Sequence, residues 1–173
     1  MDLLINRDDI GKYRPLAELP HGRIDNFVKE SQEIDLAEAL GDALYYDFIS
    51  NYCDSSHSNY DNYQLLLKGT TYEYNGETIK YHGLKPMLSY FTLSRFILSQ
   101  QVNYTRFGIV QKTDPNSQPI DSTQIKILST EMKSIAIKYQ TDLVKFLNEK
   151  ENEYPLYKGD RPRQNTGFKF FSA

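Results

Sequence analysis

Three histidines (His21, His57 and His82), one cysteine (Cys53) and many carboxylates are the side chains with which this chain could do chemistry. A metal site needs several such ligands converging, and only Cys53 and His57 lie near each other in the sequence. His-Glu-x-x-His, Cys-x-x-Cys, a glycine-rich phosphate loop and a Gly-x-Ser-x-Gly elbow do not occur. The histidines sit among turn formers, and the carboxylates fall between apolar positions, on faces that water covers. His82, beside a hairpin, is the most interesting of the three, but it has no partner at a motif spacing. The expectation is a protein with no catalytic residue, no cofactor and no metal, whose function lies in its contacts.

The elements that position those contacts centre on Gly69–Lys112. Two alternating runs, Thr70–Tyr74 and Glu77–Tyr81, flank Asn75-Gly76, the strongest short-range hairpin signal because both residues tolerate positive φ. Gly83 breaks the chain, and Pro86 then falls in the first turn of an apolar helix, where its missing N–H costs little. That helix is expected from Leu84 to about Tyr104, with Leu84, Leu88, Phe91, Arg95, Leu98 and Val102 along one face. Met87, Tyr90, Phe96 and Ile97 widen the face, implying burial on more than one side. Arg95 is expected to reach outward along its own stem.

Length and composition set the frame. At 173 residues, with 39% hydrophobic and 25% charged residues, the chain fits one domain that can bury a core. A net charge of −3 does not suggest generic affinity for nucleic acid or anionic membrane. No stretch reaches about 18 apolar residues, so no membrane partner is expected. The first residues lack the basic start and apolar run of a signal peptide. The single Cys53 excludes an internal disulfide framework and fits a reducing compartment. There is no Trp but there are 14 Tyr and 9 Phe. Tyr is enriched at interfaces, though a generally Tyr-rich proteome would give the same count.

Around the hairpin, residues 2–22 read as irregular: Leu3, Leu4 and Ile5 form a short strand or pack down, and Asp8-Asp9 can start one helical turn. From Arg23 to about Asn51, Phe27, Ile34, Ala37, Leu40, Leu44 and Phe48 recur at helical spacing. The helix is long enough to be broken near Ser31, and Gly41 marks either a slight bend or, as the periodicity running through it favours, a point of close helix approach. Residues 52–62 form a polar linker, followed by a short apolar turn or helix from Tyr63. Phe107–Lys112 is a strand candidate, followed by a turn-rich loop through Pro115. A last helix, capped by Ser122 and running to about Asn152, carries Ile125, Leu128, Met132, Ile135, Tyr139, Leu143 and Phe146 against the Leu84 helix.

After Glu153 the composition changes. Prolines, glycines, positive charge and the cluster Phe168, Phe170 and Phe171 describe a segment with too little apolar area to fold alone. It reads as an arm that docks on a neighbour, or as an ordinary disordered terminus. The fold expected is therefore mainly α, a small bundle of three to four helices with one β-hairpin over residues 1–153, plus an extended C-terminal arm over 154–173. The expected interface residues are Asn75 and Gly76 at the hairpin tip, Phe107 and Ile109 in the strand candidate, and Pro115 in the loop. In the arm they are Tyr154, Tyr157, Arg161, Arg163, Phe168, Phe170 and Phe171.

The order of these parts resembles a known family. A long acidic helix leads to Tyr63-Gln-Leu-Leu-Leu-Lys-Gly and then to the hairpin phrase Tyr72-Glu-Tyr-Asn-Gly-Glu-Thr-Ile-Lys-Tyr-His-Gly-Leu-Lys-Pro. A Tyr- and Phe-rich helix, Arg106-Phe-Gly-Ile-Val-Gln-Lys and a final long helix follow. Over roughly residues 23–152 this is similar to the head–tail connector (adaptor, or ring) proteins of tailed bacteriophages, in particular those of crAss-like phages. The resemblance implies a subunit of a homo-oligomeric ring, commonly of about twelve copies. Such a ring contacts the portal protein and neighbouring neck or tail rings, and DNA passes through its channel without specific binding. It also implies a virion protein assembled in the host cytoplasm, with the segment from Tyr154 reaching the portal or next ring. The family has no catalytic residues to carry over. The competing expectations are a cytosolic, non-enzymatic adaptor module that captures one partner with its aromatic arm, and an enzyme whose site is assembled from scattered residues.

Overall fold

In the computed structural model, residues 2–15, 22–99, 102–105, 108–111 and 121–159 are described, the side chains of 102–111 excepted. The first helix, α1 (Arg7–Gly11), is capped by the Asn6 side chain, which accepts from the Asp9 N–H at 3.0 Å. Leu4 and Ile5 pack into the core rather than pairing as a strand.

The long acidic helix is cut in two places. α2 (Asp25–Glu30) passes into a π-helical segment (Ser31–Leu36) and then α3 (Ala37–Leu40), and α4 (Asp42–Asn51) follows Gly41. The wider π turn carries the buried face from Gln32 to Leu36 and leaves Ile34, expected inside, 53% exposed. Gly41 has φ 74° and ψ 152°, a region for glycine, and a side chain there would meet nothing within 4 Å. It is a backbone break and not the close helix approach the periodicity suggested.

α5 (Tyr60–Lys68) leads into β1 (Thr70–Tyr74) and β2 (Glu77–Tyr81), which pair antiparallel from Thr70 with Tyr81 to Tyr74 with Glu77. Asn75 and Gly76 take φ 51° and 80°, as the turn reading required. The hairpin is pinched at its base. A Cβ on Gly69 would lie 2.5 Å from the Tyr81 carbonyl oxygen, and one on Gly83 would lie 2.5 Å from the Leu67 carbonyl oxygen. Only glycines let the two chain passages touch.

α6 (Leu84–Ser99) is shorter than expected. Instead of continuing to Tyr104, the β-prone Val102-Asn103-Tyr104-Thr105 forms β3 (Val102–Thr105), which pairs antiparallel with β4 (Gly108–Gln111) as a second two-stranded ladder. α7 (Ser122–Glu149) closes the body. Its first cap is Asp121 rather than Ser122. α6 and α7 share the largest interface in the molecule. The fold is thus mainly helical with a hairpin, as expected, and the second ladder is an addition to it.

The buried face of α7 runs through Ile125, Ser129, Met132, Ala136, Leu143, Phe146 and Leu147. Small residues, not the larger Leu128, meet α6. Ser94 Oγ donates to the Ser129 carbonyl at 3.0 Å and Ser129 Oγ donates to the Ser94 carbonyl at 2.9 Å, so the two backbones approach closely. Leu128 is 41% exposed, and Leu98 of α6 is exposed as well.

Candidate interaction surface

The two halves of α7 are covered differently, and that difference defines the candidate surface. Around its C-terminal half the chain builds a dense aromatic cluster. Tyr81 of β2 stacks on Phe146 with ring centres 4.4 Å apart, Tyr72 of β1 meets Phe146 edge-on, and Tyr154 packs on its other side. The Tyr81 hydroxyl donates to the Leu66 carbonyl at 3.0 Å, and the Tyr154 hydroxyl donates to the Asn62 carbonyl at 2.7 Å. Asn62 Nδ2 answers by donating to the Glu153 carbonyl at 3.3 Å. Burial pushes both phenols well above their ordinary pKa, so they stay protonated donors.

Tyr154 is 1% exposed and Tyr157 is also buried. Both were expected to open an interface arm. They belong instead to the chain's own core, with Tyr154 meeting Phe146 edge-on once Lys150–Glu153 turns the chain back. Asn75 and Gly76 remain exposed at the hairpin tip. For Ile109 only the backbone is described, paired with Tyr104 across the second ladder. Phe107, Pro115, Arg161, Arg163, Phe168, Phe170 and Phe171 lie outside the described residues.

Around the N-terminal half of α7 the described residues give a thin cover. α6 contributes Leu93, Phe96 and Ile97, and α7 contributes Leu128, Glu131 and Met132, each set spaced i, i+3, i+4 along one helix face. With Arg14 and Pro15 they line an open groove of about 390 Å³. Leu93, Phe96 and Met132 form its buried floor, and Leu128 stands on its rim beside Ile127, which is 62% exposed. Arg14 and Glu131 face each other at 3.7 Å on the rim, an exposed pair contributing under about 1 kcal/mol. The wide apolar face of α6 was legible from Phe96 and Ile97; that part of it stays open was not.

Polar contacts tie the elements of the bundle together. Arg95 does not reach outward: it forks onto Asp35 at 2.6 and 3.2 Å and lies 3.6 Å from Glu30. Burial pushes the Asp35 carboxyl above its ordinary pKa, and the Arg95 guanidinium opposes that. Gln32, turned inward by the π segment, accepts from the Leu4 N–H at 2.6 Å and so ties the N-terminal segment down. Asp9 accepts from Lys12 at 2.9 Å and Lys85 at 3.1 Å; burial works against its charge, but the two ammonium groups outweigh it and hold its pKa below the ordinary value. The Tyr63 hydroxyl donates to Asp47. Carboxylates were read as solvated, and apart from Lys12 the partners of these three lie far away in sequence.

Cys53 is exposed, His57 stacks on Tyr63, and His82 meets Tyr139 edge-on. Among the described residues no group of three His, Cys, Asp or Glu could hold a metal ion, and no helix is long and apolar enough to cross a membrane.

A family model matches residues 36–167, and the chain belongs to that family, DUF6712, described as a family of unknown function. No curated protein and no solved structure matches the chain.

Proposed function

We propose that this chain is a structural subunit that assembles with copies of itself, as a neck ring of a tailed bacteriophage that joins the portal to the tail and continues the DNA channel. The observation that carries this reading is the unequal cover of α7. One half is sealed by the chain's own hairpin and aromatic strap, while the other presents a groove and a run of exposed apolar side chains. Ring subunits need unlike surfaces that meet head to tail and close. Among the described residues neither two-stranded ladder is paired with a further strand, and such an edge can take one. The order of elements over residues 23–152 supports the phage assignment by resemblance, and the mild acidity suits a channel through which DNA slides.

The test is the assembly state of the purified chain, alone and mixed with a portal ring, by light scattering and negative-stain imaging. Closed rings, or decoration of one face of the portal, are expected. A monomer at every concentration that also fails to bind a portal ring overturns the reading. The groove equally fits a non-enzymatic adaptor that captures one partner's apolar segment, and a stable one-to-one complex without rings would favour that.

A further inference from the structure

We propose that the groove between α6 and α7 is the receptor for the C-terminal segment of a second copy of this chain, with Phe168, Phe170 and Phe171 as the inserted side chains. The inference rests on the self-assembly reading and names the surfaces that would carry it. The groove supplies an apolar floor of Leu93, Phe96 and Met132 under a rim of Leu128 and Pro15. Residues 160–173 supply three phenylalanines within four positions, with no other large apolar residue in the segment. Large rings entering a desolvated pocket are the usual anchors of an interface.

Charge agrees. Lys158, Arg161, Arg163 and Lys169 outnumber the single Asp160 in and before that segment. Glu131 in the groove lining and Glu30 have side chains about half exposed, at 53% and 52%, each facing an arginine, Arg14 at 3.7 Å and Arg95 at 3.6 Å. Glu30 lies 3.6 Å from Arg95, next in sequence to the groove residue Phe96, and the neighbouring Phe27 meets Phe96 edge-on.

Charge along α7 favours a second copy over the same one. The described chain ends at Gly159, just after Tyr157 is buried at the sealed end. From Phe146 to Met132 along α7 is about 21 Å. From Gly159 to Phe168 the chain spans at most about 30 Å. A return within one molecule fits that length but would run along α7 past the exposed Lys133, Lys138 and Lys145, which repel a basic segment. A plug leaving one end and a socket at the other make a heterologous pair, the kind that repeats around a ring.

The experiment uses full-length chains with Cys53→Ser, which removes the native thiol. One chain carries Leu128→Cys and the other Phe170→Cys; they are mixed, oxidised and run on a non-reducing gel. Expected is a cross-linked pair from the mixture, and ladders of multimers from a chain carrying both cysteines. An intramolecularly closed monomer from the double variant, or no cross-link in either, overturns the inference. Leu128→Glu and Phe170→Glu, each at an exposed or terminal position, should weaken self-association at least tenfold with unchanged circular dichroism. Rings that form normally in both variants would sink the groove assignment while leaving the ring reading intact, whereas chains that never assemble would sink both.

Discussion

The two ends of α7 are built from the same kinds of residue and end in different states. At the C-terminal end, Leu143, Phe146 and Leu147 are buried, Phe146 against Tyr72, Tyr81 and Tyr154, and the Tyr81 and Tyr154 hydroxyls reach backbone carbonyls. At the N-terminal end, Ile127 and Leu128 face outward, and Leu93, Phe96 and Met132 floor an open groove. The sealed end holds the fold together. The open end leaves apolar surface that the described residues do not cover, and a contiguous exposed apolar patch is the usual mark of a binding surface.

Substitutions separate the two ends by size of effect. Gly83→Ala should be the most damaging, because it forces an alanine to φ 81° and into backbone atoms at 2.5 to 2.7 Å. A loss of about 4 kcal/mol or failure to fold is expected in urea titration. Tyr154→Ala should cost about 3 kcal/mol by emptying the aromatic cluster, and a cost near zero would show that the strap is not part of the core. Arg95→Ala strands the mostly buried Asp35 carboxylate and should cost about 2 kcal/mol at pH 7. Part of that loss should be regained in acid, where Asp35 is protonated.

Asp9→Asn sharpens the electrostatic side. The folded-state pKa of Asp9 is depressed, so its contribution is present above the unfolded value of about 4 and disappears as pH falls through the lower folded value. The variant should lose about 1 kcal/mol at pH 6 and little at pH 2, so its acid limb should be flatter in thermal melts. Leu128→Ala should change monomer stability least, by under about 1 kcal/mol, since the side chain is already partly in water. A loss of 2 kcal/mol or more would place Leu128 in the core and close the groove.

Much of the fold was legible because it rests on local rules. Asn75-Gly76 between alternating runs, Pro86 after Gly83, and the i, i+3, i+4 faces of α6 and α7 read directly as hairpin and helices. The errors came where tertiary context overrode period. Ser129 and Ala136 replaced Leu128 at the α6 contact because two backbones needed to approach. The π turn moved Ile34 out and Gln32 in. Asp9, Asp35 and Asp47 looked solvated because Lys85, Arg95 and Tyr63 are distant in sequence. Tyr154 and Tyr157 looked like a free arm because a Pro- and Gly-containing stretch does not reveal that its first aromatics have slots waiting.

The most direct test of the unequal ends is the mass of the full-length chain by light scattering across a hundredfold range of concentration. Expected is a rise from the 20.2 kDa monomer to closed multiples, abolished when residues 160–173 are removed although the melting temperature is unchanged. A mass of 20.2 kDa at every concentration, with or without the terminal residues, would contradict it.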